Sequence, residues 1–212
     1  NGSINNLLEW IPSMVTTSDA GTGIGYTYMR IRGIDQTRIN VTLNGVTIND
    51  AESQGSWLVN LPDLGSYLEE VQVQSGANTA PGAISYGARI DFITREIPAK
   101  PFAEVKSAYG SFNTFHNTIS AGTGLLNNRF SALAAFSDIR SDGFIDRAHS
   151  KLNSAFFTAQ YKLLNKLETK DFGTLRFNLL WGTEHTGLAW NGVPFDSLST
   201  NRTYNSCGEY WT

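Results

Sequence analysis

The chain of 212 residues is poor in cysteine, methionine, histidine and proline, with one, two, three and six of each. The single thiol, Cys207, excludes an internal disulfide framework and any cysteine-based zinc site. His116, His149 and His185 lack metal-ligand spacing and read as satisfied polar side chains. Charge is also scarce: Asp, Glu, Lys and Arg make up 17% of the chain, and the net charge is -3. Such a chain has no basic field for a polyanion, so nucleic acid is not an expected partner. No run approaches the roughly 18 consecutive apolar residues of a spanning helix. The opening "NGSINNLLEW" also lacks the basic and apolar segments of a signal peptide. Two solutions remain: a soluble protein, or one that meets a membrane through β-strands, whose signal per segment is much weaker.

Signatures of chemistry are missing as well. There is no Gly-x-Ser-x-Gly elbow and no calcium-loop pattern. Asp138 with Asp142, and Glu69 with Glu70, read as solvated charge. "GTGIGY", with Gly21, Gly23 and Gly25, leads into a strand and not a helix, which argues against a phosphate cradle. No catalytic residue, metal or cofactor is expected.

What is present favours strands. The chain is 41% hydrophobic and 12% aromatic, with 20 glycines, which suits a packed β-rich protein. Residues 1–98 read as a small mixed unit. Ile4, Leu7, Leu8 and Ile11 have helical spacing, and Pro12 disfavours continuation. "MRIRGIDQTRINVTLNGVTIND", Met29 to Asp50, predicts three short strands and two turns, with Arg30 and Arg32 opposite Met29 and Ile31 and a hairpin at Asn44-Gly45. A turn or short helix within "LPDLGSYLEEVQVQSG" precedes a strand at Val71-Gln72-Val73. "ARIDFIT" is a further strand, and the prolines of "REIPAKP" mark a connector, with a boundary near Ile97.

From residue 99 onward the pattern lengthens to alternating segments of roughly ten residues, the length of tilted membrane strands. Five are outlined, over 102–112, 116–125, 129–140, 150–163 and 173–187. Phe177, Leu179 and Trp181 oppose Arg176 and Asn178. Ala155, Phe157, Ala159, Tyr161 and Leu163 oppose Ser154, Thr158, Gln160 and Lys162, although Phe156 breaks the polar side. A soluble sandwich produces similar alternation.

In order and approximate spacing, "MRIRGIDQTRINVTLNGVTIND", "LEEVQVQSG" and "GAISYGARIDFIT", followed by "YGSFNT" and barrel-like strands, resemble the TonB-dependent outer-membrane receptors. "NDAESQGSW" and "SDGFIDR" are similar to members from the Bacteroidetes lineage. The resemblance implies an α+β plug domain over 1–98 followed by antiparallel strands of a transmembrane β-barrel over 99–212, with the start of an extracellular loop. Because such barrels have about 22 strands, the chain is expected to be part of a larger protein, with the coupling peptide preceding Asn1. The implied function is ligand capture at the bacterial outer membrane and import by energy-coupled plug displacement, with no bond broken. The implied partners are the inner-membrane protein TonB, outer-membrane lipid, a small-molecule, glycan or peptide ligand, and as a further candidate a surface lipoprotein. A secreted or surface all-β binding module, adhesin-like, is the alternative. A β-structured glycan hydrolase is a weaker third reading for want of a placed acid and nucleophile.

The resemblance also nominates site residues. Arg32, with Arg38, is a candidate plug-to-barrel lock, pairing with carboxylates of the barrel wall. Strand chemistry alone gives the same arginines a solvated edge face. The family's second arginine is replaced here by Ser75, before Gly76, which implies a weaker lock. Arg89 and Asp91 suggest a charge pair within the last plug strand. The polar loop holding Asp50, Glu52, Ser53, Gln54 and Trp57 is a candidate ligand-facing plug apex, or an ordinary loop anchored by its indole. Trp190 and Asn191 begin an outward loop over the ligand entrance, with interfacial anchoring an alternative role for Trp190.

Overall fold

The computed structural model describes residues 4–75, 87–164 and 171–207. An α-helix at Ile4–Leu8 opens the chain; Ile4 and Leu8 are buried, and Ile11 packs against the same core. Strands β1 (Met14–Ser18), β2 (Thr27–Ile31) and β3 (Ile34–Asp35) form an antiparallel three-stranded sheet. A second sheet has the order β5-β4-β7-β6, from β4 (Ile39–Leu43), β5 (Val46–Thr47), β6 (Leu68–Ser75) and β7 (Ala88–Thr94). Its pairings are antiparallel except β4 with β7, which run parallel in a register that sets Thr42 opposite Asp91. Met29, Ile31, Ile39, Val41, Ile90 and Phe92 fill the core shared by the two sheets and the helix.

The region Met29 to Asp50 makes one strand more than its pattern predicts. Arg32 and Gly33 both have positive φ, 50° and 78°, and turn β2 tightly into the short β3. Arg32 therefore leaves the alternation: Arg30 stays exposed opposite buried Met29 and Ile31, while Arg32 is a turn residue. Asn44 and Gly45 form the expected hairpin turn with φ of 51° and 83°. Both sites need left-handed backbone, which glycine adopts freely and asparagine tolerates.

Five longer strands form a single antiparallel sheet, hereafter the wall: β8 (Phe102–Gly110), β9 (Thr114–Gly122), β10 (Phe130–Ser141), β11 (Ser150–Leu164) and β12 (Asp171–Thr186). Each pairs with its sequence neighbour, because the connections are too short for crossovers. Their ends lie within a few residues of the segments read from alternation. The Asn127-Asn128 turn lies at the inner end, and the longer connections 142–149 and 187–207 lie at the outer end.

The register stacks the outward side chains into rows. Successive rows hold Phe130, Tyr161 and Leu175; Ala132, Ala159 and Phe177; Ala134, Phe157 and Leu179; then Phe136, Ala155 and Trp181, extended by Ile119 and Val105. The large members are all exposed. The next row is polar throughout: Asp138, Asn153, Thr183, Asn117 and Ser107. Side-chain rows recur every second residue, so the apolar band runs about 20 Å along the strands, the scale of a lipid-facing band on a tilted barrel. The opposite face, carrying Arg176, Asn178 and buried Ser154, Phe156 and Thr158, turns toward the first two sheets.

Leu179→Lys, in the third apolar row, is expected to cost about 2 to 4 kcal/mol of folding free energy in lipid vesicles, while Asn178→Lys on the inner face costs little. Equal losses on the two faces, measured by reversible folding of the complete protein, would remove lipid from the outer surface.

Candidate functional site: the contact between core unit and wall

The core unit meets the wall at three levels. At the outer end, the β1–β2 loop presents the carbonyl of Ala20 to the N–H groups of Phe144 and Ile145, at 2.8 and 3.3 Å. Ala20, Ala148 and Ala189 close a small buried cluster there. The glycines of "GTGIGY" serve this approach. A Cβ at Gly25, φ 83°, would stand 2.8 Å from Ser150 Oγ and 2.9 Å from Thr186 Cγ2. The glycine-rich run is a docking loop. Beside it, burial pushes the Asp19 carboxyl above its ordinary value.

The middle level is a seat. One cross-strand row of the wall's inner face consists of Thr118, Ser137, Ser154 and Gly182, all small, on four consecutive strands. The corner Pro62 to Tyr67 fits into this row. Pro62 lies against Gly182, where a Cβ would come within 2.9 Å of the proline ring. Asp63, held at φ 51°, places a side chain only 1% exposed against the row. Its Oδ2 accepts a short hydrogen bond from Ser137 Oγ and lies 2.9 Å from His116 Nε2, while Oδ1 is buried with no hydrogen-bond partner among the described residues. Ser66 Oγ and Thr118 Oγ1 lie 3.2 and 3.3 Å from the same imidazole nitrogen.

Tyr67 completes the seat. Its hydroxyl is 2.7 Å from Ser154 Oγ, and its ring stacks on Phe156 at 5.2 Å and 24°. Phe156, the aromatic that interrupts the polar face of β11, is thus one of the wall's apolar contacts with the core unit, beside Leu133 under Tyr67 and Ile139 with Leu152 under Ile24. Burial, opposed by the Ser154 hydrogen bond and reinforced by the nearby Asp63 charge, pushes the Tyr67 phenol up to about 12.

At the inner level Arg95 reaches Glu104 of β8 at 3.2 Å and lies over the Phe102 ring, 5.0 Å from its centroid. Glu69 accepts the Glu96 N–H at 2.8 Å. A cleft of about 1300 Å³ runs between this level and the seat, lined by Tyr67, Glu69, Arg95, Glu104, His116 and Phe156 among others.

The nominated residues fall elsewhere. Arg32 is exposed at its turn, and among the described residues no acid pairs with it. Arg38 is exposed at the end of a 3-10 turn, Gln36–Arg38. The hydrogen bonds of Thr37, with a smaller contribution from the charges of Arg30 and Arg38, hold Asp35 below the usual carboxylate range. Arg89 and Asp91 form the expected pair at 2.7 Å, and Asp91 also accepts from Thr42. In the polar loop, Asp50 is occupied locally: bonds from Ser53 and Glu52 hold its carboxyl low and shape the turn. Trp57 bonds Ser53 Oγ through Nε1 and meets the Tyr28 ring edge-on. Glu52 and Gln54 are exposed there. Trp190 and Asn191 are exposed past the end of β12, beyond the polar row and not level with the apolar band. Ser75 is exposed at the end of β6, while Gly76 and residues 82–86 of "GAISYG" lie outside the described residues.

Sequence reasoning missed Asp63, His116, Ser137 and Tyr67 as partners, because they come from separate segments. Phe156 was the available signal, an aromatic on a face that otherwise reads polar.

Residues 1–88 match the family described as TonB-dependent Receptor Plug Domain. Residues 1–88 are therefore a plug domain of the TonB-dependent receptor type. The core unit is the plug, and the wall is barrel strand. Among solved structures, the unliganded ferric citrate transporter FecA aligns with a TM-score of 0.76 at 19% identity, over 97% of this chain and 32% of its own. The pyoverdine receptor FpvA of Pseudomonas aeruginosa PAO1 aligns at 0.66 and 16%, over 88% and 26%. The copper transporter OprC aligns at 0.66 and 18%, over 86% and 28%. The chain therefore spans about a third or less of these matched proteins. No curated protein sequence matches it.

Tyr67→Phe is expected to weaken plug seating by about 1 kcal/mol, since Ser154 loses its buried partner. Ultraviolet difference titration of the complete receptor against this variant should show one phenol ionising near 12 instead of 10. The raised value means that its contribution to stability is fully present below pH 10 and is lost as pH rises toward about 12. A difference spectrum titrating at 10 would contradict the buried seat.

Proposed function

We propose that the complete protein is an active transporter of the bacterial outer membrane. It takes a ligand at the cell surface and imports it when TonB, drawing on inner-membrane energy, displaces the plug. In this reading residues 1–98 are the plug, and 99–212 are the first wall strands with the start of an extracellular loop. The observation that carries it is the two-faced wall: an exposed apolar band on one side and a polar face seated on a plug on the other. A soluble adhesin-like sandwich would bury that band under a second sheet. The matched structures are receptors and transporters, which supports transport over hydrolysis.

The ligand is a small molecule, glycan or peptide that meets the outer loops, with Trp190 and Asn191 at the entrance and Asp50, Glu52, Ser53, Gln54 and Trp57 on the plug loop beneath. The exposed Glu52 and Gln54 are the members of that loop best placed for direct contact. A surface lipoprotein is a further candidate partner, and nucleic acid is not. Native mass spectrometry of ligand retained by the complete receptor, followed by uptake of that ligand with and without TonB, tests the reading. Uptake that is indifferent to TonB would refute it.

Arg32 is proposed as a plug-to-wall lock whose acid lies beyond Thr212, with Arg38 a secondary contact. Its place on a tight two-residue turn supports this, because a fixed corner suits planar, bidentate pairing. Arg32→Lys is expected to raise passive antibiotic leakage through the complete receptor, and Ser75→Arg to lower it. Leakage unchanged in both variants would return these positions to a solvated face.

A further inference from the structure

We infer that the corner Pro62 to Tyr67 is a second plug latch, of opposite polarity to an arginine lock, in which Asp63 is clasped by Ser137 and His116 of the wall. The inference rests on the transport reading only for its purpose; the contact itself is geometric. Its parts come from both sides. The plug contributes a carboxylate on a left-handed corner, a proline and a tyrosine. The wall contributes hydroxyls, an imidazole and a gap at Gly182.

Three observations distinguish a latch from ordinary packing. The first is chemical asymmetry. Asp63 is sealed, with its side chain 1% exposed, whereas His116 is 12% exposed and borders the cleft between plug and wall. Withdrawing the plug would leave the carboxylate free to hydrate, and would leave the wall's imidazole and hydroxyls facing the lumen. The contact is therefore strong while closed and has solvated partners once open.

The second observation is economy of shape. Thr118, Ser137, Ser154 and Gly182 share one register row, so Pro62 and Asp63 lie in a continuous shallow groove of small side chains, beside the stack of Tyr67 on Phe156. Disengagement then needs little repacking of the wall. The third is the left-handed backbone at Asp63. That conformation is sparsely populated by non-glycine residues, and the wall contacts support it only while the plug is seated.

The test uses the complete receptor in an outer membrane depleted of porins, with vancomycin entry as the readout and the heat-modifiable folded barrel as the control for assembly. Asp63→Ala is expected to raise passive entry roughly 5- to 30-fold, the population change for a buried pair that loses its acceptor. Asp63→Asn, which keeps the shape but not the charge, should give a smaller rise. Ser137→Ala with His116→Ala should match Asp63→Ala, and the triple variant should go no higher, because the groups act as one unit. Wild-type entry in Asp63→Ala, or effects of the two sides that multiply in the triple variant, would overturn the latch. If Asp63→Ala fails to assemble, the wall-side pair carries the test by the same criterion.

A second arm separates this inference from the transport reading. Plug movement is followed by maleimide labelling of Ala20→Cys, a position buried against the wall while the plug is seated, in a Cys207→Ser background, with and without TonB. Labelling indifferent to TonB while vancomycin entry still responds to Asp63→Ala would leave the latch standing and remove energy-coupled displacement. TonB-dependent labelling with wild-type entry in every seat variant would do the reverse.

Discussion

A sheet that touches hydrocarbon on one face must satisfy its backbone within its own ladders and give the other face something polar to meet. Every later feature of this chain follows from that constraint. The outward rows carry Phe, Leu, Tyr and Trp up to the level of Trp181, then change to Asp138, Asn153 and Thr183. The inward rows are free to be small or hydroxylated, because the plug and water are their neighbours. Thr118, Ser137, Ser154 and Gly182 would be an odd row in a hydrophobic core; facing a plug they are a binding groove.

The plug answers with a different economy. Its own core is apolar and closed, with Ile31, Val41, Ile90 and Phe92 fully buried. Its contacts with the wall are mostly side chains and single carbonyls: Ala20 at the outer end, Asp63 and Tyr67 in the middle, Arg95 at the inner end. Among the described residues no strand of either plug sheet pairs with a wall strand. Two bodies joined this way stay in register yet part without breaking a β-ladder.

Much of the architecture was readable from the chain because period-two alternation is a local property. The strands β8 to β12, the turn at Asn44-Gly45 and the Arg89–Asp91 pair all lie within short windows. Arg32 shows where local reading goes wrong: Met-Arg-Ile-Arg alternates perfectly, but the glycine that follows takes the second arginine into the turn. The seat was unreadable for a different reason. Asp63 sits in a Pro-Asp-Leu-Gly stretch that reads as an ordinary turn, and His116 and Ser137 lie on strands where isolated polar residues are routine. Their meeting depends on how the plug docks, which no window contains. Phe156 alone betrayed the contact.

The parallel pairing of β4 with β7 sets the tempo of assembly. Thr42 must find Asp91 across a long intervening chain, so the plug's central sheet carries a loop-closure cost that each wall hairpin largely escapes. Wall strands meet partners only a turn away. The two halves of this chain thus have different contact orders: the wall is a succession of local events, and the plug is a single non-local one. Anything that pulls β4 from β7 sets a slow clock running, since resealing must repeat the search, while the wall around it stays assembled.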